Sequence, residues 1–301
     1  MKPHRYNPLI SAILEPEPEA EEAWHKWRAD ADLDNLDEDS ILLLPGLAAR
    51  LPHWTVEDPR RGVLLGICRR AWSHNQIQNR LLADAIRILN TGGIQRLAPI
   101  GPVSWSTEYW PEGSIRPVGR VDLLVEPGQL EMALRVLIEA GWSTIGPLPN
   151  AATWTLAFHP AVPLRSPGGN SVWLHWRAIP RSDLSVRRPP PPQWVALPRR
   201  EFVSYAIPPE YALVGVLAGF QNDAVDWICD VLAVTRKVQD WDLVATLLRH
   251  RSRARDRWEL WIQDWRSKIP AGALGPIKTS LMERWLAACL RTLRSAASPR
   301  R

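Results

Sequence analysis

Arg120 and Asp122 stand two positions apart in the short apolar run Arg120-Val121-Asp122-Leu123-Leu124-Val125, with Glu126 directly after it. Alternate residues of a strand share a face, so the spacing predicts that Arg120, Asp122 and Glu126 point the same way. Carboxylates so arranged hold a divalent cation through their oxygens. Arg120 opposes that chemistry. At ~4 Å two like unit charges repel by about 4 kcal/mol at an effective dielectric of 20, and a divalent ion meets roughly twice as much. Arg120 is therefore expected to pair with Asp122, or to bind a phosphate or carboxylate directly. Glu126 offers a second oxygen ligand if the strand continues, although Pro127 argues that it already lies at the strand's end. His175, in Val172-Trp173-Leu174-His175-Trp176, is a candidate second chemical group, and His159 could face it across a hairpin. The competing reading is a hydrogen-bonded structural histidine. Glu108 and Glu112 read as solvated loop residues.

The elements that must position these groups change character along the chain. A polar helix is expected over Pro16–Ala31, and a strongly amphipathic one from Gly62 to Leu89, stopped by Gly92-Gly93. Short strands follow at Ile94–Ile100 and Arg120–Val125. A helix runs from Leu130 to Ala140, and Trp154–Phe158 is expected to pair antiparallel with Ser171–Trp176. Arg187-Arg188-Pro189-Pro190-Pro191-Pro192 reads as an extended linker. Beyond Pro208-Pro209 the pattern is helical: Glu210–Phe220, Ala224–Gln239, Trp241–His250, Arg257–Ile269 and Lys278–Ala296.

Composition bounds the function classes. With 301 residues the chain can bury a sizeable core, and no apolar run is long enough to span a bilayer. No secretory leader is evident, so a cytoplasmic location is expected. Cys68, Cys229 and Cys289 form no CxxC pair and read as buried apolar residues, not as a zinc site or disulfide framework. The net charge of +5 conceals acidic clusters in the first forty residues and arginines near the end. Arg249, Arg251, Arg253, Arg255 and Arg257 could form an anion or nucleic-acid surface, or a solvated helix. Trp258, Trp261 and Trp265 share a helical face, either as a stacking platform or as core. No nucleophile elbow, phosphate loop or HExxH motif is present.

The wider set of residues resembles a known family. The strand Leu97-Ala98-Pro99-Ile100-Gly101, the Arg116-to-Val125 segment, Gly141-Trp142, the Leu174-His175-Trp176 strand, Ile207-Pro208-Pro209-Glu210-Tyr211 and Asp226-Trp227-Ile228-Cys229-Asp230-Val231 together resemble an uncharacterised bacterial nucleotidyltransferase family of the polymerase-β-like superfamily. The resemblance runs from about Leu42 to about Pro276. It implies an α+β fold, with a small mixed-sheet core over residues 92–186 and helices in residues 1–91. A Pro-rich linker would span 187–206, and a C-terminal helical domain residues 207–301. In the family, two aspartates of the second strand and a third carboxylate on a neighbouring strand hold magnesium ions that bind the nucleotide phosphates. Here Ile100 stands at the family's lysine, Arg120 at the first aspartate and Trp173 at the third carboxylate, while Asp122 retains the second.

The resemblance thus implies a divergent member whose two-metal catalysis is lost. It would be a cytoplasmic accessory protein that binds a small molecule, peptide or pathway protein, in a pathway making modified peptides or polysaccharides. Asp122 would be the residual catalytic carboxylate, with Gly101, Arg116, Arg120, Trp173 and Trp105 around a remodelled ligand site and no cofactor. The alternatives are an active enzyme using magnesium and ATP or another nucleoside triphosphate, held by Asp122 and Glu126, and a nucleic-acid-binding module built on the C-terminal arginines.

Overall fold

In a computed structural model, the described residues are 8–110, 113–146, 161–179, 195–197, 203–219, 227–248, 254, 256–258 and 261. The chain begins with α1 (Pro8–Leu14), α2 (Glu19–Asp30), α3 (Glu38–Leu43) and α4 (Leu51–Trp54). Asp37 starts α3 by accepting the Ser40 N–H at 2.8 Å, a short polar cap of the usual kind. α5 (Arg61–Thr91) is the long amphipathic helix, with Leu64, Cys68, Asn75, Gln78, Leu81, Leu82, Ala85, Ile86 and Leu89 on its buried stripe. It ends as the glycine pair predicts: the Gly92 N–H reaches Ile88 O at 3.0 Å and the Ile94 N–H reaches Leu89 O at 2.9 Å. Ile94 is thereby consumed in closing the helix, so the first strand starts three residues later than the apolar run does.

That strand, β1 (Leu97–Ile100), leads through α6 (Pro102–Glu108) to β2 (Val121–Val125), α7 (Leu130–Glu139), β3 (Ser143–Thr144), β4 (Ala161–Arg165) and β5 (Ser171–His175). They form one mixed sheet in the order β1-β2-β5-β4-β3. β2 and β5 are parallel, whereas β1 with β2, β4 with β5 and β3 with β4 are antiparallel. The expected fold class, α+β with a small mixed sheet among helices, is the one observed.

The sheet is covered on both faces, so each residue of β2 is buried. Val121, Leu123, Val125, Val172 and Leu174 enter one apolar core with the buried sides of α5 and α7. Ala98, Ile100 and Leu124 face a second core, shared with α1, α3 and the C-terminal helices. Those are α8 (Pro209–Ala218), α9 (Trp227–Thr235) and α10 (Trp241–Leu248), preceded by the antiparallel pair β6 (Val195–Leu197) and β7 (Ser204–Ala206). N-terminal and C-terminal helices thus bury their side chains together against one face of the sheet.

One strand differs from expectation. The partner of β5 is Ala161–Arg165, in the register Ala161↔His175 to Arg165↔Ser171. The tight turn Ser166–Asn170 brings these neighbouring segments together, with Ser166 N–H on Asn170 O at 2.7 Å. Pro163 lies inside β4, and a proline within an apolar run argues against a strand when only local pattern is read. Trp154–Phe158, His159, the Pro-rich stretch 187–192, Cys289 and the helix expected over Lys278–Ala296 lie outside the described residues. No helix among the described residues is long and apolar enough to cross a membrane.

Candidate functional site

Strand register assembles the site. Asp122 pairs with Ile100 on β1 and with Trp173 on β5, and Trp173 pairs with Pro163 on β4. The next row inward is Ala98, Leu124, His175 and Ala161. Positions in register on adjacent strands present their side chains to the same face, so Asp122, Trp173 and His175 converge there.

Asp122 is completely buried, and both its oxygens are occupied. Oδ1 lies 2.6 Å from His175 Nε2, and Oδ2 accepts from Arg120 Nε at 2.9 Å. A carboxylate oxygen accepts, so His175 carries its proton on Nε2 in this pair. Gly101 closes the third side. Its φ is +66°, and a Cβ built there would stand 3.0 Å from Asp122 Oδ2. Only glycine meets both conditions without strain. Arg120 spreads its guanidinium over the Trp173 ring, 4.9 Å from the centroid, and its side chain is 26% exposed. Trp173 is half-buried, so this Arg–Trp pair is the part of the site that a solute can reach.

A magnesium pair does not fit these residues. One carboxylate is present where two or three are required, and its oxygens already accept from Arg120 and His175. The positions flanking it in register are an isoleucine and a tryptophan. Pro102, at the first turn of α6, has no N–H to offer a phosphate. Glu126 does not help. It follows the end of β2, roughly 13 Å along the chain from Asp122 at ~3.3 Å per residue, and pairs with Arg96 at 3.3 Å. No group of three or more metal-ligating side chains occurs among the described residues.

Arg116 and Trp105 belong to a second, buried cluster and not to a ligand-facing surface. The Arg116 side chain is 1% exposed and grips Asp230 of α9 through two bonds, Nε to Oδ1 at 3.0 Å and Nη2 to Oδ2 at 2.7 Å. Trp110 Nε1 also donates to Asp230 Oδ1, at 2.8 Å. Arg116 Nη1 donates to Pro117 O, and the guanidinium lies 5.4 Å from the Trp105 ring centroid. Asn75 of α5 holds the backbone alongside, donating to Arg116 O at 2.7 Å and accepting from Val118 N at 2.9 Å. The segment that delivers Arg120 and Asp122 is therefore anchored to α5 on one side and α9 on the other. Glu210 has a similar task, accepting the N–H groups of Gln239 and Asp240 at 3.0 and 2.9 Å ahead of α10.

Asn75 was not expected from pattern alone, although its position carried a signal: a polar amide in the stripe Cys68, Asn75, Leu82, buried at helical spacing. Tyr109, beside this cluster, has its phenol pushed up by burial, reinforced by Glu108 and Glu210. Trp258 and Trp261 stack on each other at 5.5 Å and are 6% and 1% exposed, which makes them core rather than a platform for bases. Arg257 is buried over Trp227. Arg249 to Arg255, Trp265 and Glu112 lie outside the described residues.

The model of an uncharacterised nucleotidyltransferase family matches residues 43–256, within the span over which the motifs carry the resemblance. No curated protein matches. Among solved structures, an antigenic nucleotidyltransferase-like protein from Paracoccidioides brasiliensis is similar at 15% identity and a TM-score of 0.34, covering 61% of this chain and 92% of that one. A likeness that loose transfers no property.

Proposed function

The chain belongs to this uncharacterised nucleotidyltransferase family, and from that premise we propose that it is a member without two-metal catalysis, which binds an anionic planar ligand in the remodelled cleft. The observation that carries the reading is the state of Asp122. Its two oxygens are held by Arg120 and His175 at 2.9 and 2.6 Å, so the remaining family carboxylate serves as an internal counter-ion. Arg120 supplies a fixed positive charge where a metal would otherwise neutralise phosphate, and Trp173 supplies a ring under it. A guanidinium backed by an aromatic face suits a carboxylate or phosphate attached to a flat group. In this reading the protein acts in the cytoplasm as an accessory to a biosynthetic pathway, and ligand binding needs neither magnesium nor nucleotide turnover.

Calorimetry with AMP and pyrophosphate as probes, with and without magnesium, tests this. Binding is expected to be independent of the metal and at least about tenfold weaker in Arg120→Ala, which removes a charge-assisted contact of about 1.5–3 kcal/mol. Metal-dependent ATP binding that disappears in Asp122→Asn would overturn the proposal and restore the reading as an active transferase.

A further inference from the structure

Between Arg28 and Arg135 the pairing of arginines is unevenly distributed. From Arg28 to Arg135, Arg28, Arg50, Arg60, Arg87, Arg96, Arg116, Arg120 and Arg135 each have a carboxylate within 4.0 Å. The arginines of that span without such a partner among the described residues are Arg61, Arg69, Arg70 and Arg80, and all lie exposed on α5. No carboxylate occurs on α5 between Arg61 and Ala83, and Asp84 is taken by Arg87 at 2.7 Å. The exposed side of one helix therefore carries four arginines and, before Asp84, no carboxylate, and two of them, Arg61 and Arg69, share a flank.

An apolar groove of about 300 Å³ runs along the same helix, lined by Ala48, Pro52, Leu65, Cys68, Arg69, Trp72 and Ile115. Arg61, Leu65, Arg69 and Trp72 follow one another at helical spacing, so the stripe alternates cation, apolar side chain, cation and indole along one flank. Trp72 is 56% exposed, an unusual state for so large an apolar side chain. Cys68 forms part of the floor; burial pushes its thiol up to about 11, so no thiolate chemistry is offered there. None of the cleft residues lines this groove.

We infer that the groove is a docking site for an acidic segment of a partner protein that inserts an apolar side chain beside Trp72. Charge complementarity selects the partner: glutamate or aspartate residues flanking the anchor would meet Arg61 and Arg69. A membrane surface fits less well. At about 100° per residue, Trp72 and the exposed Val63 and Ile77 fall on opposite flanks of α5, with Arg69 and Arg80 between them, so they form no common face to immerse. Nucleic acid fits less well too, because, Arg69 aside, the groove is lined by apolar side chains that suit an apolar anchor and offer few hydrogen-bonding groups to a base edge.

The test uses the full chain and two fluorescein-labelled helical peptides with the same leucine and tryptophan anchors, one glutamate-rich and one lysine-rich. Fluorescence anisotropy at low ionic strength is expected to show the acidic peptide binding at least about tenfold more tightly. Arg69→Glu and Trp72→Ser are each expected to weaken it by about tenfold or more, while Arg165→Glu, an equal charge change elsewhere, leaves it within about twofold. Both positions are at the surface, and unchanged melting curves would show that the variants fold. Equal binding of the two peptides, or acidic-peptide binding indifferent to Arg69→Glu and Trp72→Ser, would refute the proposal. So would binding confined to poly(U) RNA or phosphatidylserine vesicles, or self-association of the chain abolished by Trp72→Ser.

Discussion

Replacing Asp230 by alanine removes the carboxylate that satisfies a buried guanidinium and a tryptophan N–H at once. Arg116 and Asp230 are 1% and 0% exposed as side chains, and their two bonds of 3.0 and 2.7 Å join residues 114 positions apart. Breaking such a pair from one side strands a charge in the interior and costs about 3–5 kcal/mol. The N–H of Trp110 adds about 1 kcal/mol, because that side chain is half-buried and water can take over part of the bond. A loss of about 5 kcal/mol is a large share of the 5–15 kcal/mol that typically holds a folded domain, so a fall in melting temperature of roughly 10 °C is expected. Urea unfolding followed by tryptophan fluorescence measures it. The double variant Arg116→Met/Asp230→Leu separates this cause from mere loss of packing. Apolar side chains of similar volume remove both charges together, and the pair should recover most of the stability, leaving a coupling of several kcal/mol in the double-mutant cycle. A cost below about 1 kcal/mol for Asp230→Ala, or a double variant as unstable as the two single changes added, would refute the reasoning.

Gly101→Ala is expected to destabilise by about 1–3 kcal/mol, through a left-handed backbone at +66° and a methyl 3.0 Å from the Asp122 carboxylate; thermal melts give the value, and a neutral result would mean that the strand end moves freely. Asp58 is held below the usual carboxylate range by the Arg28 hydrogen bond at 2.7 Å, working against its burial. A depressed folded value stabilises the protein above the unfolded value of about 3.9. The contribution is lost as pH falls through the lower, folded value. Asp58→Asn should therefore cost about 1 kcal/mol between about pH 5 and 8, with the difference from the parent vanishing in acid; a gap that persists unchanged well below pH 3 contradicts this. Cys68, with its thiol raised to about 11 by burial, should alkylate with iodoacetamide far more slowly than a free thiol at about pH 8. Mass spectrometry in native buffer and in urea reads the difference, and equal rates would mean that the floor of the α5 groove opens readily.

Some of this protein is determined by its sequence alone, because the forces involved act over a few residues. The alternation in Arg120–Val125 sets Arg120 and Asp122 on one strand face, so their pairing follows from spacing and charge before any fold is known. The apolar stripe of α5 and its glycine stop are likewise local, and the framework motifs place the chain in its family. Other features depend on which distant segments meet. Nothing local pairs Arg116 with Asp230, or points Asn75 at the backbone of Arg116 and Val118. A proline-containing segment becomes an inner strand because the turn before β5 folds it back onto its neighbour. Glu126 is lost to the site because β2 ends before it and Arg96 lies within reach. The exposed positive charge of α5 is decided in the same way. Arginines are plentiful along the sequence, and only tertiary packing determines which of them find a carboxylate and which are left facing the solvent, since a charge pair forms wherever the closed chain brings opposite signs within a few ångströms.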